Sequence, residues 1–328
     1  MSWQSFKRRP EFKIPPKQKV YNAFLQQFKN KDYPVLHQYL LDSYTESDIE
    51  SDIESKKKLR ENLEKLVRTE WMYYHDQRLK RSSSLTDALN SSIIEGGLSF
   101  QNHYRCVFSE FQNKPLSSKG SISTFKGGRF NIGKLDGFTS FPGFYIANSE
   151  ITAKSEAFQT DILKKYKYDY SAFALQKSIA SHSVARINGH IEKVVNINIE
   201  PNLKKIVKIL KKIEPSEQIM NLSKSMGLQP HGSVATIKHL TSQLFDRNPS
   251  YYPVNFGLPH NSQDFGKIAR DAGIQGLLFK SKFNSGNCLV IFPENLKNCP
   301  KSFYELSDKF PDEVIKRIDH NNYESSYL

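Results

Sequence analysis

The chain has 328 residues, 38% hydrophobic and 25% charged, enough to bury a full core in one large domain with extensions or in two small ones. Lys and Arg number 47 against 34 Asp and Glu, and the formal net charge of +13 attracts polyanions and small anionic substrates alike. No apolar run reaches the roughly 18–20 residues of a membrane helix, and the basic, proline-punctuated first twenty residues lack the apolar core of a signal peptide.

Cys106, Cys288 and Cys299 form no CxxC pair, so a reduced, cytoplasmic protein that does not engage a membrane is expected. Nothing resembles a zinc finger, a helix-turn-helix or an aromatic RNA-binding strand. Nucleic-acid binding is therefore not favoured, and a solvated basic face is the plainer reading of the charge. The nine histidines are scattered, with no HExxH and no Cys/His cluster, so no metal site is expected.

In chain order, residues 1–20 read as a basic arm, with Lys7, Arg8, Arg9, Lys13, Lys17 and Lys19 against Glu11. A helix is expected over 20–44, interrupted by Pro34. The tandem Ser47-Asp48-Ile49-Glu50 and Ser51-Asp52-Ile53-Glu54 supplies acids suited to capping the next helix, predicted over 55–79. There Leu59, Leu63, Leu66, Glu70 and Tyr73 recur on one face. Residues 21–95 thus read as a helical module, closed by breaks at Ser82-Ser83-Ser84 and Glu95-Gly96-Gly97.

From His103 onward the pattern changes to short apolar strands at 105–108, 143–147, 194–199 and 288–292, with helical candidates at 152–165 and 264–272. Strands mixed with helices, without regular βαβ alternation or a GxGxxG, imply an α/β (α+β) protein with a mixed β-sheet core flanked by helices. Leu203, Ile206, Val207 and Leu210 share a helical face ringed by Lys204, Lys205, Lys208, Lys211 and Lys212. A basic surface helix is the plain reading, with a membrane-surface or partner-binding helix, or a strand, left open. The tail, 296–328, is expected to form one or two short helices.

One stretch stands out: Lys126-Gly127-Gly128-Arg129-Phe130-Asn131. Two glycines allow a tight turn or a close backbone approach, and the guanidinium beside them can grip a phosphate or carboxylate. Alone, the motif is weak evidence and a surface turn is its plainer reading. Its surroundings are Tyr104-Arg105-Cys106-Val107-Phe108 upstream, then Phe144-Tyr145-Ile146-Ala147 and Thr152-Ala153-Lys154-Ser155-Glu156 downstream. Far along the chain come Gly276-Leu277-Leu278-Phe279-Lys280-Ser281, Asn287 and Cys288-Leu289-Val290-Ile291-Phe292-Pro293. In this order and context the residues resemble the RES domain family, named for its Arg, Glu and Ser.

The resemblance covers 103–295, in a domain placed at 96–295 with an insertion within 165–262. It implies a fold similar to ADP-ribosyltransferases and cleavage of the nicotinamide–ribose bond of NAD. ADP-ribose then passes to water, to inorganic phosphate or to a macromolecule, and many such proteins are toxins held by a cognate antitoxin. The added segments could build a homo-oligomer interface or receive a target.

By this resemblance Arg105 and Arg129 match the two arginines that bind the dinucleotide, with Gly128 lining the same turn. Arginine forks suit pyrophosphate oxygens. A structural ion pair is the competing reading of Arg105. Tyr145, and less strongly Tyr104, are assigned to nicotinamide or ribose packing, against an ordinary strand position. Glu156 is assigned to stabilising the oxocarbenium-like charge, against simple helix-dipole compensation. Ser281 is assigned to orienting the ligand rather than to attack, since no histidine is placed to activate it, and Asn287 to shaping the loop that follows.

Overall fold

Short runs of β-branched and aromatic residues pair into one eight-stranded sheet in the computed structural model, which describes residues 46–124, 127–158, 182–228, 230, 234–245 and 256–327. The strands are β1 Leu98–Phe108, β2 Phe144–Ala147, β3 His182–Ile191, β4 Val194–Asn196, β5 Gly276–Lys280, β6 Asn287–Ile291, β7 Phe303–Leu306 and β8 Arg317–Asp319. Their order is β4-β5-β6-β2-β1-β3-β7-β8. Only β4 and β5 run parallel; every other neighbouring pair is antiparallel. The helices are α1 Glu46–Leu79, α2 Ser82–Asn90, α3 Lys119–Ser123, α4 Glu150–Ala157, α5 Glu200–Leu210, α6 Glu217–Ser225, α7 Ile237–Phe245 and α8 Asn261–Asp271. A mixed sheet flanked by helices is the α+β architecture expected from the sequence.

The chain divides into two compact units, 1–70 with 215–231, and 71–214 with 232–328. In the described part of the first, α1 buries Leu63, Leu66 and Val67, and α6 buries Ile219 and Ser223. Ser216 caps α6 by accepting from the Ile219 N–H at 3.4 Å. The second unit holds the sheet.

One sheet face carries the main core: Phe100, Phe144, Ile146, Ala185, Ile187, Leu289, Ile291, Tyr304 and Ile318 pack there with Leu116 and Leu296. Phe144 stacks on Tyr304, ring centroids 4.2 Å apart. Successive side chains alternate between faces, so Tyr145, Ala147 and Cys288 point the other way. On that second face α4 contacts β1, β2 and β6, and α2, α5, α7 and α8 pack among themselves.

β1 breaks the alternation once. Its register against β3 shifts between Phe100 and His103, and Asn102 adopts φ +50°. This bulge places Phe100 and His103 on one face although they are three residues apart, and it reverses the parity of every residue after it.

Several expectations change. α1 already runs through the acidic repeat, so those acids lie within its first turns rather than before it. The tail contributes strands β7 and β8 ahead of one short 3-10 helix, Tyr323–Tyr327, because alternation around the fully buried Tyr304 lets Phe303–Leu306 extend the sheet beside β3. The 203–210 stretch lies in a helix, with Lys211 and Lys212 in the turn after it: Pro201 stands in its first turn, and Leu203, Ile206, Val207 and Leu210 are all buried. The segment expected as an insertion supplies β3, β4, α5, α6 and α7. The basic arm and the helix expected over 20–44 lie outside the described residues.

Candidate active site

The Gly-Gly-Arg turn is built to hold one shape. Gly127 has φ +69°, and a Cβ on Gly128 would lie 2.5 Å from Oδ1 of Asn131 and 2.6 Å from the Tyr145 hydroxyl, so neither position tolerates a side chain. Asn131 is fully buried and gathers the turn around itself. Its Oδ1 accepts from the Gly128 N–H (3.0 Å) and from the Tyr145 hydroxyl (2.9 Å), while its Nδ2 donates to the carbonyls of Ser121 and Phe141. The Phe130 N–H donates back to the Tyr145 oxygen at 2.9 Å. Tyr145 therefore braces the turn with its hydroxyl.

From the other side α8 docks onto the same turn. Gln263 donates through Nε2 to the carbonyls of Gly128 (2.9 Å) and Asn131 (3.0 Å), one on each side of Arg129. Its Oε1 accepts the His260 N–H at 2.8 Å, closing a capping box at the α8 N-terminus. Gly266 brings the helix so close that a Cβ there would lie 2.0 Å from the Phe130 carbonyl oxygen.

α4 presents Glu156. Its N-terminus is capped by Ser149, whose Oγ accepts the Thr152 N–H at 3.2 Å. One carboxylate oxygen of Glu156 accepts the Ser281 hydroxyl at 2.7 Å and the Lys282 backbone N–H at 3.2 Å. The other lies 3.9 Å from a terminal guanidinium nitrogen of Arg129, an ion pair too long for a hydrogen bond. The loop behind Ser281 is locked to α4. Thr152 donates to Oδ1 of Asn284 at 3.1 Å, the Gly286 N–H donates to the same oxygen, and a Cβ on Gly286 would stand 2.1 Å from the Thr152 hydroxyl.

Charges shape the neighbours. Burial pushes the Tyr145 phenol well up, Glu156 adds to the rise, and Arg129 and the Phe130 N–H only partly oppose it, so Tyr145 stays neutral. Burial likewise raises the Cys288 thiol, again reinforced by Glu156.

No protein-family model matches the chain, and no curated protein matches it. Among solved structures, the crystal structure of the M. tuberculosis MbcT–MbcA toxin–antitoxin complex aligns over 74% of this chain and 97% of the other, at 15% identity and a TM-score of 0.32.

Arg129, Glu156, Ser281, Tyr145 and Gly128 thus meet on the second sheet face. Arg105 does not join them. Beyond the β1 bulge it pairs with Ala185 on the core face, where its guanidinium sits 4.2 Å from the Phe144 ring centroid. It donates to the carbonyls of Ser117 (2.6 Å) and Tyr145 (3.3 Å), and its Nε finds no hydrogen-bond partner among the described residues. Burial draws its pKa down to about 10, only partly offset by Tyr304 and Cys106. The competing reading, a structural ion pair of Arg105 such as one with Glu156, does not form with that residue, because the two face opposite sides of the sheet.

Tyr104 shares the face of Tyr145 but stands opposite Ala147 and Arg186, one strand away. Asn287 pairs with Asn148 through backbone and side-chain bonds of 3.0 and 2.9 Å where β6 begins, and so fixes the loop end rather than the site. Gln263 and Asn284 are the residues that sequence reasoning missed. His260 and Gln263 do carry the three-residue spacing of a capping box, a signal that starts α8 at Asn261 rather than Asp264. Among the described residues no group of three or more His, Cys, Asp or Glu is placed to hold a metal, and no helix is long and apolar enough to cross a membrane.

Proposed function

We propose that the chain is an NAD-consuming enzyme that breaks the nicotinamide–ribose bond and passes ADP-ribose to water or phosphate, acting as a toxin restrained by a cognate antitoxin. The observation that carries this reading is the Glu156 carboxylate, which binds Ser281 and the Lys282 N–H on one oxygen and faces Arg129 with the other. These are the Arg, Glu and Ser of the family resemblance, brought together from three distant segments.

The chemistry follows from charge. As the C–N bond breaks, its electron pair leaves with nicotinamide and positive charge grows on the ribose. A carboxylate oriented beforehand stabilises that charge without reorganising at the moment of reaction. Ser281 and the Lys282 N–H set the orientation of Glu156. The acceptor oxygen then bonds to the ribose carbon and gives up its proton. Arg129 would grip the pyrophosphate with its guanidinium, and Arg105, turned into the core, reaches the site through the Tyr145 backbone. Tyr145 supplies a neutral aromatic wall, held in place by its own hydroxyl.

Purified protein is incubated with NAD, with and without phosphate, and the products are identified by mass. Free ADP-ribose or its phosphate ester, together with nicotinamide, is expected. Adenine-linked label retained on protein or nucleic acid would redirect the reading to a macromolecular transferase, and intact NAD under every condition would overturn it.

A further inference from the structure

A second surface carries charge that the site does not use. Five lysines, Lys204, Lys205, Lys208, Lys211 and Lys212, fall within nine residues on α5 and the turn after it, and all five are exposed. At 100° per residue they form one stripe along the side opposite Leu203, Ile206, Val207 and Leu210. Lys204 pairs with Glu200 at 3.1 Å, and Lys205 reaches the Ser91 carbonyl at 2.6 Å. No carboxylate among the described residues lies within ion-pair distance of Lys205, Lys208, Lys211 or Lys212. The nearby acids of the helix and its packed neighbour are Glu200, Glu214 and, on α2, Asp87. α7, which also packs on α5, adds exposed Lys238 and His239.

Lysines at a helix C-terminus complement its dipole, which accounts for Lys208 and Lys211, but not for Lys204 and Lys205 further up the helix. The occupant follows from burial and charge. The apolar side of α5 is spent in the core, each of its four residues being under 9% exposed, so the helix has no apolar face to insert among lipids. A net charge of +13 on each copy opposes a second copy as partner. We propose that α5 docks the phosphodiester backbone of a nucleic acid, without reading its bases. Phosphate contacts of this kind set affinity and salt dependence and carry no sequence information. The proposal is independent of the NAD reading.

The full chain is titrated against a labelled DNA duplex about 20 base pairs long, between about 50 and 200 mM salt, and compared with a Lys204→Gln/Lys208→Gln/Lys211→Gln/Lys212→Gln variant. Four lost phosphate contacts should flatten the log–log salt slope by about 3–4, so wild-type affinity should fall about 100-fold more than that of the variant across this range. A control variant, Lys193→Gln/Lys297→Gln/Lys301→Gln/Lys309→Gln, has the same net charge and should keep the wild-type slope. Equal losses in both variants, absent binding at low salt, or binding to anionic vesicles but not to duplex would each overturn the proposal. Circular dichroism of both variants confirms that the fold is kept.

Discussion

The hydroxyl of Ser281 donates to Oε1 of Glu156 across 2.7 Å, joining residues 125 positions apart in the chain. Ser281 Oγ also accepts the Phe283 N–H at 3.1 Å, and no histidine hydrogen-bonds to it among the described residues. The serine hydroxyl is therefore engaged by the carboxylate and has no histidine beside it, among the described residues, of the kind that activates a serine nucleophile.

Two substitutions separate these roles. Glu156→Gln keeps an oxygen for Ser281 and Lys282, so the protein should fold while NAD loss slows by about 10²–10³-fold. Ser281→Ala removes one hydrogen bond to a charged group, a loss of about 1.5–3 kcal/mol, and should slow turnover by about 10–100-fold. A loss with Ser281→Ala as deep as with Glu156→Gln would instead support covalent attack by the serine.

The two arginines should respond in opposite ways. Arg105→Ala leaves the Ser117 and Tyr145 carbonyls without their donor and opens space beside Phe144, so thermal denaturation should shift down by several degrees. Its KM for NAD, measured on folded protein, should stay near that of the wild type. Arg129→Ala should raise KM at least tenfold with little change in Tm. Similar KM rises in both variants would return Arg105 to the binding site.

Glycines 128 and 286 are steric requirements. Gly128→Ala and Gly286→Ala each place a methyl within 2.6 Å of fixed polar atoms, Asn131 and Tyr145 for the first and Thr152 for the second. Overpacking of this kind costs about 1–3 kcal/mol. Denaturant midpoints should drop for both, whereas Gly137→Ala, where nothing stands within 4 Å but φ is +81°, should show only the milder cost of backbone strain.

Stability should also depend on one buried carboxylate. Burial works against the charge of Asp264, yet Arg78 and His75 outweigh it and hold its pKa below the usual aspartate range. His75 contacts it through Nδ1 at 2.8 Å, and Arg78 binds its other oxygen. A depressed carboxylate contributes stability above its unfolded pKa of about 3.9 and loses it as pH falls through the folded value. Unfolding free energy should thus decline below about pH 5. Asp264→Asn should flatten that decline and, by leaving Arg78 buried beside a neutral amide, cost about 3–5 kcal/mol at neutral pH. An unchanged acid limb in the variant would remove Asp264 as its source.

Local chemistry was legible where a residue type is required by its immediate neighbours. Gly127 and Gly128 announce a turn that excludes side chains, and the short apolar runs at 105–108, 143–147, 194–199 and 288–292 outline β1, β2, β4 and β6, half of the sheet. The 203–210 periodicity left helix and strand open until the fold showed a helix. The resemblance to the RES family also put Glu156 together with Arg129 and Ser281 as candidates for one site. What the linear chain could not disclose was parity and partnership. A single extra residue in β1, at the bulge beside Asn102, decides that Arg105 turns into the core while Tyr104 faces the other side, and both types read alike on a half-buried strand. The tail became strand for a similar reason: the sheet edge at β3 and the ring of Phe144 offered Tyr304 partners that exist only once the chain has folded. Gln263 acquires its hold on the Gly128 and Asn131 carbonyls in the same way, since hydrogen bonds across 135 and 132 residues depend on packing that no local pattern encodes.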